Sequence, residues 1–427
     1  MHLSSKKSRL KYHPLGMSFL LLLGGLYAFA SFPLCKNTHA PPALLSSQYT
    51  QAPVQVGAAK AEISIPHWPV AMAGYGPLRP KATEQSLPLY ARAIVLRSSG
   101  FELSLLSLET LLVPPALTQK LQQQLGEVVV VPTHTHSSLG GFDARWQAQI
   151  STMGRFEEAV YEAVLEACLQ AVAQARQNLQ EAHFAWEQSQ LEAWTQPRSG
   201  TQVESRLLRL RWQSKAGPLA QVLVLAAHPT LAPKSEKQLH PDFPGELALL
   251  EEGAGHGVTL VWPSAVANAR ISLPHATPQS FAQKLHAHVQ AWPPPPVENS
   301  TPLQLSYARI RFALPAVDTS RLVPKLLSRP ANNLLCQGIP PEAEFSVLAL
   351  GALQLVAVPF EVGAEAARAL EEAGLGHALS MANNYLGYME TPGNVEQSLG
   401  ESSLQYFEKT LLEKITQAAQ LRPWAGP

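Results

Sequence analysis

Four consecutive valines at 128–131 run into Pro132-Thr133-His134-Thr135-His136-Ser137-Ser138-Leu139-Gly140-Gly141. An apolar, β-branched run bounded by turn residues reads as a buried strand feeding a loop. In α/β sheets ligands bind just beyond the carboxyl ends of strands, so His134 and His136 stand where sites usually form. The pair by itself also fits a loop whose imidazoles are satisfied by hydrogen bonds. The rest of the chain has to decide between the two.

Composition narrows the classes. The 427 residues are 46% hydrophobic and 15% charged, which fits one large globular core or two domains. The formal net charge is zero and no Lys/Arg stripe occurs beyond the N-terminus, which speaks against a nucleic-acid partner. Lys6, Lys7, Arg9 and Lys11 precede an apolar run at 15–26, and Ala28-Phe29-Ala30 is a small-x-small motif ahead of Ser31. Residues 1–30 therefore read as a signal peptide. Since 16–34 is just long enough to cross a bilayer, a retained membrane anchor is the other reading. Both export the body of the chain to the periplasm or the cell exterior.

Cys35 follows Phe32-Pro33-Leu34, which lacks the small residue of a lipoprotein site. The spacing of Cys35, Cys168 and Cys336 fits no zinc ribbon or redox motif, and Cys168 sits in an apolar helical stripe. A single disulfide suits an oxidising compartment, but the sequence does not pair it. Residues 31–54 read as a flexible linker, and 55–420 as one α/β domain of mixed sheets flanked by helices. Strand patterns fall at 105–112, 128–131, 207–212, 220–227, 259–262, 303–314 and 345–358, the last a hairpin around Gly351-Ala352. Helical patterns fall at 117–125, 156–179, 278–292, 361–372 and 404–418, with a Pro-rich loop at 292–302. Beyond the N-terminus no amphipathic segment stands out as membrane-binding.

Four more segments place polar groups where a strand ends. Ala226-Ala227-His228-Pro229-Thr230 ends at a histidine, and Val356-Ala357-Val358-Pro359-Phe360-Glu361 at a glutamate. Met381-Ala382-Asn383-Asn384-Tyr385-Leu386-Gly387-Tyr388 carries amides and phenols. Val261-Trp262-Pro263-Ser264-Ala265-Val266-Ala267-Asn268-Ala269-Arg270 ends with Asn268 and Arg270. Each alone has a plain structural explanation, such as a helix N-terminal charge for Glu361 or half-buried packing for the tyrosines.

Taken in order, these segments resemble the neutral, non-lysosomal ceramidase family. Four others join them: Val56-Gly57-Ala58-Ala59-Lys60-Ala61-Glu62-Ile63-Ser64, Met72-Ala73-Gly74-Tyr75-Gly76, Leu89-Tyr90-Ala91-Arg92-Ala93 and Ser107-Leu108-Glu109. The Thr-His-Thr-His-Ser…Gly-Gly stretch is the most specific. The resemblance runs from residue 55 to residue 405, with gaps, and the chain is expected to lack the family's C-terminal β-sandwich. It implies a catalytic Zn2+ site with His134, His228 and Glu361 as ligands and Tyr388 as an unusual fourth. Two imidazoles and a carboxylate leave a coordination position for water or substrate. His136 would stand behind them, orienting a ligand or the scissile group. The resemblance also puts Arg198, of Arg198-Ser199, on the substrate or the developing oxyanion, although a surface-loop arginine explains it equally well. Arg270, Tyr385 and Asn383 are its substrate-binding candidates. Asp242, after His240-Pro241, falls on the family's Asp segment or caps a helix ahead of Pro244-Gly245-Glu246.

One departure bears on the substrate. Where ceramidases carry Gly-Asp-x-Ser-Pro, whose serine is implicated in catalysis, this chain has Val266-Ala267-Asn268-Ala269-Arg270. Asn268 has the chemistry to donate a hydrogen bond to an oxyanion but not to act as a nucleophile. The expectation is an exported zinc hydrolase that cleaves an amide or ester of a small-molecule or lipid substrate with a metal-activated water, His136, Asn268 and Arg198 assisting. The alternative is a degenerate relative that keeps the fold, and the metal or not, as a binding or envelope-scaffold protein.

Overall fold

The computed structural model describes residues 24, 25, 27, 40–191, 193–199, 202–292 and 303–424. Most of the signal or anchor segment, and the Pro-rich loop beyond residue 292, lie outside the described residues. Among those described, no helix is long and apolar enough to cross a membrane.

In chain order the first strands are β1 (Ala43–Thr50), β2 (Gln55–Glu62), β3 (Tyr90–Ser98), β4 (Phe101–Leu108) and β5 (Val128–Pro132). Next come β6 (Gln180–Glu181), β7 (His183–Gln190), β8 (Arg206–Ser214), β9 (Gly217–Leu225) and β10 (Val258–Pro263). The last are β11 (Leu305–Ala313), β12 (Glu342–Leu350), β13 (Leu353–Ala357) and β14 (His377–Leu379). They make three mixed sheets, ordered β5-β4-β3-β2-β6, β10-β9-β8-β7 and β1-β11-β12-β13-β14. The main helices are α1 (Pro115–Leu125), α2 (Glu158–Gln177), α3 (Asp242–Gly253), α4 (Pro278–Gln290), α5 (Lys325–Cys336), α6 (Ala364–Glu372) and α7 (Leu411–Ala418).

Side-chain alternation stacks these sheets. Ile94, Leu96, Val129 and Val131 point to one face of the first sheet, Ala93, Val95, Val128 and Val130 to the other. The first set meets Leu208, Leu210, Trp212 and Trp262 of the second sheet and Tyr307, Leu348, Leu350 and Leu355 of the third in one interior. The opposite faces are covered by helices: α2 on the first sheet, α3 and α4 on the second, α6 and α7 on the third. Each sheet is thus buried on both sides, which is why the valine run needs no polar alternation.

Each sheet also carries a parallel pair at one edge: β4 with β5, β9 with β10, and β13 with β14. A parallel pair needs a crossover, supplied by α1, α3 and α6 respectively. Three strand–helix–strand units therefore present their carboxyl-terminal ends, and those ends carry His134, His228 and Glu361.

The α/β class and mixed sheets agree with the sequence, and the structure redraws several boundaries. The linker read at 31–54 is ordered over its second half, because Ala43–Thr50 pairs antiparallel with β11 as an edge strand. Glu361 does not open a helix. It sits with Val362 in a two-residue strand parallel to Tyr388–Met389, and α6 starts at Ala364. The helix expected over 404–418 shrinks to α7, because Phe407 bridges to Val317 and Gln405 turns its amide onto the Phe407 carbonyl. Cys336 is disulfide-bonded, and Cys168 is a buried free thiol in α2.

Gly57 marks where α2 seats on the first sheet. A Cβ there would lie 1.9 Å from the Ala175 carbonyl oxygen. Gly57→Ala should therefore destabilise the protein by about 3 kcal/mol or more, read as a thermal midpoint lowered by several degrees. An unchanged midpoint would mean that α2 does not approach β2 this closely.

Candidate metal centre

The ladder between β4 and β5 continues past the strand end. Thr133 N–H donates to the Leu108 carbonyl and His134 N–H to the Thr110 carbonyl, which carries the chain inward. His134 then adopts φ +65°, left-handed for a residue with a Cβ, and such strain persists only where the surroundings impose it. Its Nδ1 lies 2.8 Å from the Leu111 carbonyl. A carbonyl only accepts, so the proton is on Nδ1 and Nε2 offers a lone pair.

His228, three residues past its strand, repeats this pattern. Its backbone N–H donates to Ala269, and its Nδ1 lies 3.2 Å from the Val266 carbonyl. The loop that follows is clasped by Asp242, which is fully buried at φ +55°. Its Oδ2 accepts from Leu231 N–H (3.0 Å) and Ala232 N–H (2.9 Å), and its Oδ1 from Phe243 N–H (2.7 Å). Burial pushes this carboxyl up to about 6, and the three backbone bonds act against the rise. Asp242 is the first residue of α3 and not its cap, which is Pro241, and it fixes the His228 loop to the start of that helix.

Glu361 comes from the third sheet. Tyr385 Oη donates to its Oε1 at 2.7 Å. Its Oε2 is buried, has no hydrogen-bond partner among the described residues, and lies 3.5 Å from His134 Nε2. Burial raises the carboxyl, but His134 and the hydrogen bonds around it outweigh that and leave it below its ordinary value. The Tyr388 hydroxyl faces both Glu361 and the Arg198 guanidinium.

His136 Nε2 completes the group, 3.3 Å from His134 Nε2 and 3.0 Å from His228 Nε2. Burial first, and His134 second, hold the His136 and His228 imidazoles well below their usual range, so both are neutral near pH 7. Proton counting then tests whether a cation fits. His134 and His228 keep their protons on Nδ1, so His136 has a proton for one of its two close contacts at most. That leaves one lone-pair-to-lone-pair approach, with an unpartnered carboxylate oxygen beside it. A divalent cation satisfies all of these acceptors together. His134, His136 and His228 also form a group whose ligand atoms all lie within 4.8 Å of one another.

Of the residues singled out from the sequence, His134, His136, His228, Glu361, Tyr385 and Tyr388 converge, with Arg198 at their edge. Arg198 is no free surface arginine: its guanidinium donates to the Ala267 carbonyl and lies 3.5 Å from Glu401. Tyr385 reaches the site through Glu361 and so orients that carboxylate. Three expectations change. Asn383 Oδ1 accepts from Val130 N–H at 2.7 Å, so its amide is spent on the edge of β5. Asn268 braces the Arg198 loop, its carbonyl accepting from Arg198 N–H and its Nδ2 donating to Gln202. Arg270 is exposed on a two-stranded ribbon with Thr195–Pro197, and among the described residues no contact ties it to the histidines.

Two participants carried no role in the sequence reading. The Gly74-Tyr75-Gly76 turn, all at positive φ, lays the Tyr75 ring 5.1 Å from the His136 ring, and a Cβ on Gly74 would stand 3.0 Å from His136. The Arg79 guanidinium stacks 4.8 Å over Tyr75 and donates to the His136 carbonyl. The motif Met72-Ala73-Gly74-Tyr75-Gly76 was the signal for the turn; nothing local marks Arg79.

Comparison with known proteins now has a geometry to explain. Residues 54–206 match the family model for neutral/alkaline non-lysosomal ceramidase, N-terminal. The structure is similar to that of neutral ceramidase from Pseudomonas aeruginosa, with TM-score 0.71 and 17% identity over 88% of this chain and 76% of that one. It is similar also to a ceramidase complexed with C2, with TM-score 0.70 and 17% identity over 87% of this chain and 74% of that one. No curated protein matches the sequence.

Tyr385→Phe removes the bond that orients Glu361 without touching a nitrogen ligand. It should weaken zinc binding about tenfold or more, measured by competition with a chromogenic chelator, as losses behind metal ligands do. Unchanged affinity would separate Tyr385 from the metal centre.

Proposed function

We propose that this ceramidase-like protein is an exported, zinc-dependent hydrolase of an N-acyl amide, with a lipid as the acyl donor. The observation that carries the reading is the meeting of two Nδ1-locked imidazoles, His134 and His228, with the unpartnered oxygen of Glu361 beside a third imidazole that has no such lock. The first three residues would hold the ion, and Tyr388 stands next to the carboxylate as a fourth donor. When bound there, zinc supplies a Lewis acid that lowers the pKa of a water towards ~7 and polarises a carbonyl.

His136 is the member suited to moving a proton. Its Nδ1 has no partner among the described residues, and its Nε2 faces the group. A neutral imidazole there accepts a proton at Nε2 and returns it to a leaving amine. Tyr75 and Arg79 hold this ring and its carbonyl in place. Arg198 and the Tyr388 hydroxyl face one another at the half-buried edge of the site and are placed to donate to an oxygen that gains charge. His134, His228 and Glu361 are each nearly inaccessible, so substrate arrives past His136, Tyr385 and Tyr388, which are the half-buried members.

The lipid assignment draws on the two structural relatives, whose names state ceramidase activity. The non-catalytic scaffold reading draws on one specific feature, the hydroxyl-free stretch at 266–270, where Asn268 is occupied as a brace. Hydrolysis of N-acyl sphingoid bases, N-acyl amino acids and matched O-acyl esters by the zinc-loaded full chain separates the two. The hydrolase account expects saturable amide turnover, reduced about 10³-fold or more in His134→Ala. In His136→Ala, zinc content should persist while kcat falls. Turnover that is absent, or indifferent to His134, would leave the scaffold reading in its place.

A further inference from the structure

Helix α5 is tied to the body of the protein through polar groups near its C-terminal half. Thr319 N–H and Oγ1 both donate to Asn332 Oδ1, at 2.8 and 2.7 Å, and Thr319 Oγ1 also lies 3.1 Å from the Ser328 carbonyl. Asn333 is buried as well. Leu326, Leu327 and Leu334, which are 70%, 50% and 52% exposed, fall along one side of the helix with Pro330 between them at helical spacing. Leucines scattered singly on a surface are ordinary, but three exposed along one side of a single helix are not.

The stripe continues across a neighbouring element. Gln147 Nε2 touches the Leu335 carbonyl at 3.5 Å, and on either side of Gln147 Trp146 is 36% exposed and Ile150 61%. Its flank is basic. Lys325 and Arg329 are exposed one turn apart, and no acidic residue occurs from 319 to 341. The Tyr27 hydroxyl donates to the Leu326 carbonyl at 2.7 Å. The leucines remain exposed with Tyr27 in place, so that contact does not cover them.

We propose that the α5 stripe docks on an anionic lipid bilayer. The leucines would enter the acyl boundary while Lys325 and Arg329 extend their charged heads to anionic headgroups. The same surface borders the metal centre. Arg145, next to Trp146, donates to the Tyr385 carbonyl at 3.0 Å, and Tyr385 holds Glu361. Thr152, from the turn that bears Ile150, accepts from Gly74 N–H beside His136. A docked molecule therefore sets its site against the lipid phase. Only this last step rests on the lipid-hydrolase reading; the docking does not.

The test is hydrogen exchange of the α5 amides in the full chain, with vesicles of phosphatidylcholine alone or mixed with phosphatidylglycerol. On the mixed vesicles, α5 exchange should slow about tenfold. Leu326→Ser/Leu327→Ser/Leu334→Ser should abolish that protection and weaken vesicle binding roughly tenfold or more. Its unfolding midpoint should hold, since the replaced side chains are already exposed. Lys325→Glu/Arg329→Glu should weaken binding to the mixed vesicles alone. His134→Ala should dock like the wild type, so a failed hydrolase reading stays distinguishable. Three results overturn the proposal: no vesicle binding, bound protein whose α5 exchanges as in solution, or α5 protection that grows with protein concentration without lipid. The second would assign binding to the N-terminal stretch, the third to a second copy of the chain.

Discussion

Two imidazole protons fixed on the wrong side for mutual hydrogen bonding govern the site. Because the Leu111 and Val266 carbonyls claim the Nδ1 protons of His134 and His228, the Nε2 lone pairs are left facing one another and a carboxylate oxygen. Burial first, and His134 second, hold the His136 and His228 imidazoles well below their usual range. A buried cluster with more acceptors than donors is costly unless a cation joins it. The strain at His134 (φ +65°) and the close press of Gly74 on His136 serve the same end, because they hold the rings at a spacing that free loops would relax.

The scaffold delivers this by repetition of one device. Each sheet ends in a parallel pair closed by a helix, and the shared interior turns the carboxyl ends of all three pairs towards one point. One sheet contributes His134 and His136, the second His228, the third Glu361 with its tyrosines. No single element holds the site, which is why its braces (Arg79, Asp242, Asn268, Asn383) are spread along the chain and bind backbone rather than ligand.

The sequence disclosed the chemistry better than the supports. His134, His136, His228 and Glu361 were legible because each follows an apolar run, and a strand's end is a local signal. The hairpin at 351–352 and the long helix α2 were legible for the same reason. Strand β1 was not, since its stability comes from backbone pairing with β11 and its side chains are mixed. Asn383 looked like a ligand-facing amide because nothing local reveals that β5 has an open edge for it to fill. Arg79 acts on a loop distant in sequence, at His136. The leucine face of α5 escaped notice because the helix itself was not read from the sequence: Pro330 inside it is a helix-breaking signal.

Zinc-edge anomalous diffraction from crystals of protein purified without chelators or metal-affinity steps tests the central claim most directly. The account predicts one anomalous peak per chain among His134 Nε2, His228 Nε2 and Glu361 Oε2, absent in His228→Ala. No peak there after zinc soaking, with the histidines unmoved, would mean that the three lone pairs meet without a metal and that the likeness to ceramidases is one of fold alone.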